Sequence, residues 1–346
     1  MKPYDMKKTA INAHDNNLLE KFGGVNPDVL KTIGWTPLVK LNKVVKPLDA
    51  NVFAKLEFFN PTGSVKDRMA LFMIEHAEKK GLLKPGGTIV ENSSGNTGAA
   101  LAMIAAVKGY KCIITMPDKV SDEKKNLMRA FGAQVVVTPT DVPFDSPESY
   151  YSVARRIADE TPDSYYPDQY NNPVNIDSHY YSTGPEIWQQ MKNRVDIFIA
   201  GIGTGGTLSG AGKFLKEQNP GIKIIAVDPV GSVFYDYFKR HRLGKPHLYK
   251  VEGIGEDYLV KDVDFKLIDD IIQVSDRESF RMARRLAKEE GIFAGGSSGS
   301  AVWAAVEVAR TVKASQHVVA ILPDSGSRYM SKIYNDQWMK ANGFLE

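Results

Sequence analysis

Lys66 stands where an amine could be made reactive. It belongs to the segment Asn60-Pro-Thr-Gly-Ser-Val-Lys66-Asp-Arg68, a turn that leads into an apolar-periodic helix. Ser64 is a good N-cap residue, which predicts that Lys66 lies in the first helical turn. There the positive end of the helix dipole disfavours an ammonium ion and lowers its pKa. A neutral amine is the form that reacts with a carbonyl carbon, although a solvated lysine at a helix start would leave the same sequence.

A second candidate is Ser93-Ser-Gly-Asn-Thr-Gly98, which follows a predicted strand and precedes an apolar helix. At the carboxyl end of a strand, such small hydroxyl and amide residues present hydrogen-bond donors to an anion. The carboxylate of a small substrate would suit this loop. A plain turn with a helix cap is the alternative interpretation.

The segment Gly201-Ile-Gly-Thr-Gly-Gly-Thr207 also follows a predicted strand and opens a helix. It fits the pattern G-x-G-x-x-G, and Asp228 ends the next predicted strand, as in a dinucleotide site. A Gly/Thr loop before a helix N-terminus can equally enclose a single phosphate monoester, with Thr204 and Thr207 as hydroxyl donors. Both interpretations predict a phosphate ligand.

Gly295-Gly-Ser-Ser-Gly-Ser300 lies between an apolar, strand-like run and a helix. Its serines predict a third set of hydrogen-bond donors at a strand end, where α/β sheets bind ligands. Alone, this segment does not identify the ligand.

The elements that must position these four segments follow a regular rhythm. Short β-branched runs alternate with helical patterns from Asn51 onward, which predicts an α/β fold with parallel sheets covered by helices. Gly81, Gly109 and Gly132 each end a helical pattern just before a strand, as expected of repeated βα units. The predicted strands are 52–56, 88–91, 111–116, 134–138, 195–200, 222–228, 271–274 and 317–322.

Length and rhythm together predict two lobes with a cleft between them. A chain of 346 residues exceeds the size at which one core keeps growing. The stretch 138–181 breaks the rhythm and is rich in Pro, Asp, Ser, Asn and Tyr, as is typical of a passage between lobes. We expect a smaller, mobile lobe at 45–158 and a larger lobe formed by 1–44 plus 159–346.

Composition narrows the class of ligand. The formal charge of +3 arises from 44 basic and 41 acidic residues spread along the chain, which predicts no nucleic-acid or anionic-membrane partner. No apolar stretch approaches the length of a membrane span. Cys112, the single cysteine, lies in an apolar run and is expected to be buried. With no disulfide framework, thiolate metal site or signal peptide in the sequence, we expect a cytoplasmic protein that binds small molecules.

Taken together and in this order, the four segments resemble the fold-type II pyridoxal 5'-phosphate (PLP) enzymes of the cysteine synthase and cystathionine β-synthase family. The resemblance covers about 28–338 and rests on the combination of the segments at family spacing. It implies a two-lobed, tryptophan synthase β-like α/β fold with the active site in the cleft, and PLP as cofactor. A nicotinamide-dependent oxidoreductase, the rival class, would explain only the third segment.

The resemblance also implies roles for individual residues. Lys66 matches the lysine that forms a Schiff base with PLP and moves the substrate α-proton. Asn96 matches the partner of the PLP 3'-oxygen and Ser297 the partner of the pyridine nitrogen, where a serine would leave the ring largely unprotonated. The implied phosphate loop consists of Gly203, Thr204, Gly205, Gly206 and Thr207. The implied substrate-binding residues are Ser93, Ser94, Thr97 and Gln169 for the α-carboxylate, and Tyr170, Gly253 and Glu256 near the leaving group or second substrate.

Local features favour one branch of the family. They resemble the members that condense L-serine (or O-acetylserine) with L-homocysteine to cystathionine by β-replacement. Cysteine synthesis from O-acetylserine and sulfide is the nearest alternative, and a non-catalytic relative is a third. The presence of Lys66, Asn96 and Ser297 together argues against a non-catalytic relative. The features are Phe144-Asp-Ser-Pro-Glu-Ser149, Asp168-Gln-Tyr170, Val251-Glu-Gly-Ile-Gly255, Leu322-Pro-Asp-Ser325 and Arg328-Tyr-Met330.

Several departures from the family pattern bear on these expectations. Asn92 and Ser93 replace the usual Pro-Thr, and Glu256 stands where animal cystathionine β-synthases have tyrosine. No cysteine precedes Cys112 to ligate haem, and His14 is expected to be a surface residue, so neither haem nor a metal is predicted. We expect a catalytic core without a C-terminal regulatory module, and a homodimer, as in the family.

Overall fold

Ten strands form two separate sheets in the computed structural model, which describes residues 24–143 and 145–346. His14 and Phe144 of the sequence predictions lie outside the described residues. The smaller sheet has the order β5-β4-β3-β6, and all its neighbouring strands are parallel. Its strands are β3 (Thr88–Asn92), β4 (Lys111–Pro117), β5 (Gln134–Thr138) and β6 (Ser164–Tyr165).

The larger sheet has the order β1-β2-β10-β7-β8-β9. Only the edge strand β1 runs antiparallel to its neighbour within this sheet. The strands are β1 (Leu38–Lys40), β2 (Asn51–Leu56), β7 (Ile197–Gly201), β8 (Lys223–Pro229), β9 (Asp270–Val274) and β10 (His317–Leu322).

Four helices cover the smaller sheet and with it form the smaller lobe. One face carries α1, α2 and α3, whose apolar side chains join Ile89 and Ile114 of the sheet in one buried core. The other face carries α4, where Ala154 and Ala158 meet Val90. The helices are α1 (Lys66–Lys80), α2 (Asn96–Lys108), α3 (Asp122–Ala130) and α4 (Tyr150–Glu160).

The larger lobe consists of the larger sheet and the helices on both of its faces. Phe198 of β7 joins α6 and α7 on one face, while Ile199 joins α9 and α10 on the other, as alternation along a strand requires. Because both faces are covered, the central strands are almost wholly apolar. The helices are α5 (Val174–Tyr181), α6 (Thr183–Gln190), α7 (Gly206–Gln218), α8 (Phe234–Arg240), α9 (Asp276–Arg285), α10 (Gly296–Ala309) and α11 (Asp336–Ala341).

The α/β fold with two mostly parallel sheets is confirmed, and each predicted strand is present within two residues at either end. The sequence analysis missed β1 and β6. The lobe limits of 45–158 and of 1–44 plus 159–346 stay a prediction. The strands differ from these limits at both ends, because β2 belongs to the larger sheet and β6 to the smaller.

Four helix N-termini position the four predicted segments. α2 and α7 begin just after β3 and β7, at the carboxyl ends of parallel strands, and α1 and α10 begin beside β10. Helix α1 begins at Lys66 with Val65 as N-cap, one residue later than the prediction of Ser64. Ser64 lies outside the N-cap because it bridges to Asp324, although its Oγ still accepts from the Lys66 backbone at 3.3 Å.

Candidate active site

A cavity of about 870 Å³ separates the two lobes. It brings together side chains from all four segments, which are far apart in the sequence. Five of the eight residues implied for the cofactor line it, and the other three continue the same loop into the first turn of α7. These five are Lys66, Asn96, Gly203, Thr204 and Ser297. All seven residues implied for the substrates also line it, namely Ser93, Ser94, Thr97, Gln169, Tyr170, Gly253 and Glu256.

Lys66 is the first residue of α1 and projects into this cavity. Burial is the main cause that lowers the pKa of its amine to about 8, while Asp324 and Glu256 act in the opposite direction. The sequence analysis predicted this direction from the helix dipole, whereas the structure gives desolvation as the larger cause. At pH 7 roughly a tenth of the amine is therefore neutral and nucleophilic, far more than for a lysine with an ordinary pKa.

Asp67 and Arg68, the two residues after Lys66, are buried. Arg68 donates to Glu57 (Nε to Oε2, 2.6 Å) and to Glu186 (Nη1 to Oε1, 2.6 Å). Lys55 Nζ reaches the other oxygen of Glu186 at 3.0 Å. Breaking such a pair would leave an uncompensated buried charge. The network therefore ties the first turn of α1 to β2 and α6.

Asn96, at the start of α2, is held by two residues of the larger lobe. Its Nδ2 donates to Asp324 Oδ2 at 2.9 Å, and Arg328 donates to its Oδ1. Tyr329 donates to the same Asp324 oxygen at 2.7 Å. A Cβ atom on Gly295 would lie 2.1 Å from Asp324 Oδ1. Asp324 thus joins the second and fourth segments, and the contacts of Asn96 span the two lobes.

The loop 203–207 is built so that backbone lies at the cavity surface. Gly205 has a φ of +86°, a conformation that favours glycine, and a Cβ atom there would lie 2.7 Å from the Asp262 carbonyl carbon. A Cβ atom on Gly203 would lie 2.6 Å from the carbonyl oxygen of Gly253. The loop ends at the N-terminus of α7, where backbone N–H groups and the helix dipole attract an anion.

The carboxylate-binding candidates form a hydrogen-bonded pocket. Thr97 Oγ1 donates to Gln169 Oε1 at 2.6 Å, and Gln169 Nε2 donates to the carbonyl of Asn92 at 3.1 Å. Ser93 Oγ accepts from the backbone of Gly98 at 2.9 Å, which leaves its hydroxyl proton available. Ser94 is exposed to the cavity.

The mouth of the cavity combines one carboxyl group with several tyrosines. Tyr170 donates a hydrogen bond to Glu256, whose pKa is raised to about 7, mainly by burial and then by Asp257. The Tyr170 ring lies 6.3 Å from the rings of Tyr151 and Tyr258. Glu256 is therefore a partly protonated acid at neutral pH, close enough to Lys66 for their charges to interact.

An ion-paired bridge closes one side of the mouth. Glu252 pairs with Lys332 at 2.7 Å and with Lys124 of α3, so that it links the two lobes. The two lysines hold the pKa of Glu252 below its usual value despite its burial.

Asp228 does not serve the third segment as a dinucleotide site would require. It is fully buried, and its Oδ2 accepts from the backbone of Tyr235 at 2.9 Å. Burial raises its pKa to about 7. Asp228 is consequently not accessible to a ribose hydroxyl.

The sequence model described as "Pyridoxal-phosphate dependent enzyme" matches residues 29–324. The chain belongs to the pyridoxal-phosphate dependent enzyme family. PLP as the predicted cofactor is thereby confirmed, and the nicotinamide-dependent alternative loses its basis. This membership also accounts for the meeting of a cavity lysine with a glycine-rich anion loop.

Several members of the pyridoxal-phosphate dependent enzyme family are similar over most of the chain. A cystathionine beta-synthase from Apis mellifera is 48% identical over 93% of this chain and 64% of its own length. One from Mus musculus is 48% identical over 97% of this chain and 60% of its own. A cysteine synthase from Staphylococcus aureus (strain N315) is 44% identical over 88% of this chain and 95% of its own. The chain thus spans about three fifths of the length of these animal relatives.

The residues present fit the cofactor of the pyridoxal-phosphate dependent enzyme family. Lys66 supplies the amine, the loop 203–207 supplies closely packed glycines at a helix N-terminus, and Asn96 and Ser297 supply side-chain donors at the cavity wall. Ser297 is only 3% exposed, in the first turn of α10. These residues would hold PLP by its aldehyde carbon, phosphate, 3'-oxygen and ring nitrogen.

The sequence analysis missed the residues that support this site from behind. Asp324 and Arg328 hold Asn96, while Asn175 and His179 contact the threonines of the phosphate loop. Asp324 and Arg328 stood in quoted segments, but nothing in the sequence indicated their partners.

Two further findings concern other classes of ligand. Residues 24–143 and 145–346 contain no group of three His, Cys, Asp or Glu side chains that could hold a metal. In the same part of the chain, no helix combines the length and the apolar character needed to cross a bilayer.

Cys112 is buried, as predicted, and burial raises the pKa of its thiol to about 12.

Proposed function

We propose that the protein condenses L-serine with L-homocysteine to cystathionine by PLP-dependent β-replacement. One observation carries the proposal: a single cavity joins the Lys66 amine, a hydroxyl and amide pocket for a carboxylate, and the Glu256 carboxyl group at the mouth. The similarity to cystathionine beta-synthases over most of the chain supports it.

Lys66 is the proposed base for the substrate α-proton. Bound PLP supplies an electron sink that makes this proton acidic. With a pKa of about 8, the amine can accept the proton and return it later. The buried Arg68 network keeps Lys66 at the start of α1 during both transfers.

Thr97, Ser94 and Gln169 are the proposed partners of the serine carboxylate. The Thr97 hydroxyl donates to Gln169 Oε1 at 2.6 Å, so it must turn its proton to the carboxylate when the substrate enters. The Gln169 amide donates one N–H to the carbonyl of Asn92 and has a second N–H for the carboxylate. We propose that Ser93 adds a donor from the same loop. Capture of the carboxylate by the smaller lobe would draw that lobe toward the larger one.

Glu256 and Tyr170 are proposed to receive the second amino acid. A carboxylate attracts the α-ammonium group of homocysteine, and the Tyr170 hydroxyl fixes its orientation. Gly253 has a φ of +85° and no atom within 4 Å of an added Cβ, which keeps the entrance open beside them.

A cysteine synthase that uses O-acetylserine and sulfide is the second candidate. It is favoured by the match to a cysteine synthase of which the chain covers 95%. Both reactions need the same lysine, phosphate loop and carboxylate pocket. They differ in the second substrate. Homocysteine is an amino acid, whose ammonium group Glu256 could bind at the mouth, whereas sulfide has no such group.

The test is a set of three reactions with purified, PLP-loaded protein, analysed by mass spectrometry. Cystathionine formed from L-serine and L-homocysteine is the expected result. The parallel reaction replaces serine by O-acetylserine, and a third supplies sulfide. Cysteine from O-acetylserine and sulfide, without cystathionine in either homocysteine reaction, would move the function to the second candidate.

We further propose that the protein is a cytoplasmic homodimer, as the family resemblance implies. Light scattering during size-exclusion chromatography would give twice the chain mass of 38.3 kDa for a dimer. A mass of one chain would contradict it.

A further inference from the structure

Helix α5 lies directly behind the proposed phosphate loop. It approaches closely because α7 carries glycine at two positions one turn apart. A Cβ atom on Gly206 would lie 2.0 Å from Asn175 Oδ1, and one on Gly210 would lie 2.2 Å from the carbonyl oxygen of Ile176. Side chains at these positions would push the helices apart. One face of α5 is thereby held against the loop.

Asn175 and His179 lie on this face, one helical turn apart. Asn175 Nδ2 donates to Thr204 Oγ1 at 3.0 Å. His179 Nε2 lies 3.2 Å from Thr207 Oγ1, and its Nδ1 lies 2.8 Å from Thr183 Oγ1. Both side chains are wholly buried. Each of the two loop threonines thus has one partner on α5.

The chemistry of the imidazole links the directions of the hydrogen bonds to Thr183 and Thr207. Burial keeps the pKa of His179 well below its usual value, and Lys66 and Arg68 act in the same direction, so the ring is neutral. A neutral ring has one N–H group and one acceptor nitrogen. In the tautomer that our proposal requires, the Thr183 hydroxyl donates to Nδ1, and the proton on Nε2 is donated to Thr207 Oγ1. Thr207 then keeps its own hydroxyl proton for another acceptor.

We propose that Asn175 and His179 are positioning residues that turn the hydroxyl protons of Thr204 and Thr207 toward the cofactor's phosphate. Thr204 Oγ1 accepts from Asn175 and lines the cavity. In the proposed tautomer Thr207 Oγ1 accepts from His179 in the same way, so the hydroxyl protons of both threonines point away from α5. The donors are set before the phosphate arrives, which raises affinity by reducing the ordering needed on binding. The inference rests on the proposed phosphate loop and is independent of the choice of substrates.

Asn175 has a second role that separates it from His179. Its Nδ2 also donates to the carbonyl oxygen of Gln169 at 2.9 Å, and Gln169 belongs to the proposed carboxylate pocket. The same amide therefore connects the phosphate loop with the substrate pocket. We expect Asn175→Ala to weaken both PLP and serine binding, and His179→Leu to weaken PLP binding alone.

The experiment measures the dissociation constant of PLP from apoprotein and the ³¹P resonance of the bound cofactor. His179→Leu should weaken PLP binding by about 10-fold and shift the resonance, since a supporting hydrogen bond is lost. His179→Gln keeps a donor amide and should stay within about threefold of the unchanged protein. Tyr180→Phe is the matched control, because it removes a bond between α5 and Glu217 of α7 away from the loop.

A double-mutant cycle then tests the connection through Thr207. In a Thr207→Val protein, His179→Gln and His179→Leu should have no additional effect on PLP affinity. If Thr207→Val weakens binding while His179→Leu does not, the inference is wrong and the loop stands. Unchanged PLP binding in Thr207→Val would overturn both the inference and the proposed phosphate loop. Should His179→Leu fail to fold, His179→Asn replaces it: its amide can keep the bond to Thr183 but is too short to reach Thr207, so it must produce the same ³¹P shift.

Discussion

The guanidinium group of Arg68 and the carboxylate of Glu186 form two parallel hydrogen bonds, Nη1 to Oε1 at 2.6 Å and Nη2 to Oε2 at 2.7 Å. Arg68 lies two residues after Lys66, whereas Glu186 belongs to α6 of the larger lobe. This bidentate pair fixes where the reactive helix begins relative to the phosphate loop.

Removing one charge of this pair should destabilise the fold. Glu186→Gln is expected to lower the free energy of unfolding by about 3–5 kcal/mol, because Arg68 and Lys55 lose a buried counter-charge. Urea denaturation measures the loss. Asp163→Asn is the control, since its ion pair with Lys84 is exposed and should contribute far less to stability. Equal losses in the two variants would contradict a structural role for the pair.

The rate at which apoprotein attaches PLP covalently should increase with pH. The neutral Lys66 amine is the nucleophile, and its pKa of about 8 makes the neutral fraction grow roughly tenfold per pH unit below that value. The rate is therefore expected to rise up to about pH 8 and then level off. Stopped-flow absorbance measures it, with Lys66→Ala as a control that forms no covalent product. A rate that continues to rise to pH 10 would indicate an amine with an ordinary pKa.

Gly205 should be intolerant of a methyl group for a reason beyond its backbone angle. Gly205→Ala adds strain at a φ of +86° and brings a Cβ atom to 2.7 Å from Asp262, so PLP affinity is expected to fall at least about 10-fold. Gly132→Ala is a matched control, since Gly132 has a φ of +90° with no atom within 4 Å of the added Cβ. That variant should lose only about 1 kcal/mol of stability and bind PLP normally. Comparable PLP affinities in the two variants would argue against a tight loop.

Glu256→Gln should impair the second substrate more than the first. We expect KM for homocysteine to rise about 10-fold, because its ammonium group loses a partner of opposite charge and keeps only the neutral amide oxygen. The spectral change on adding serine alone should remain.

The control for Glu256→Gln is 4-mercaptobutanoate, which carries the thiol and carboxylate of homocysteine without the amino group. Its KM should be nearly unchanged by the substitution. If homocysteine and 4-mercaptobutanoate lose affinity alike, Glu256 does not bind the ammonium group.

The sequence predicted the repeating part of the fold well and the irregular part poorly. Apolar β-branched runs identified all eight of the longer strands, because burial on both faces leaves a continuous signal. Strands β1 and β6 have three and two residues, too few for any periodic pattern. The placement of β10 between β2 and β7 joins segments more than a hundred residues apart, which local patterns do not encode.

For the site, the sequence likewise predicted what local motifs encode and missed contacts between distant segments. Lys66, Asn96, Thr204 and Ser297 were found through motifs at the starts of helices, and the structure brings them to one cavity. Asn175 was not found, because its partner Thr204 is 29 residues away and only the approach of α5 to α7 unites them. The low pKa of Lys66 was expected for the wrong main reason, since burial by the second lobe is invisible in a local sequence.

Asn96 extends from the smaller lobe and is held by Asp324 and Arg328 of the larger one. The family resemblance assigns the same side chain to the PLP 3'-oxygen, an atom conjugated with the ring that gives the cofactor its colour. Any rotation of one lobe against the other must therefore disturb the surroundings of the chromophore. The visible spectrum of this protein should report the opening and closing of the cleft as well as the progress of the reaction, with no added dye.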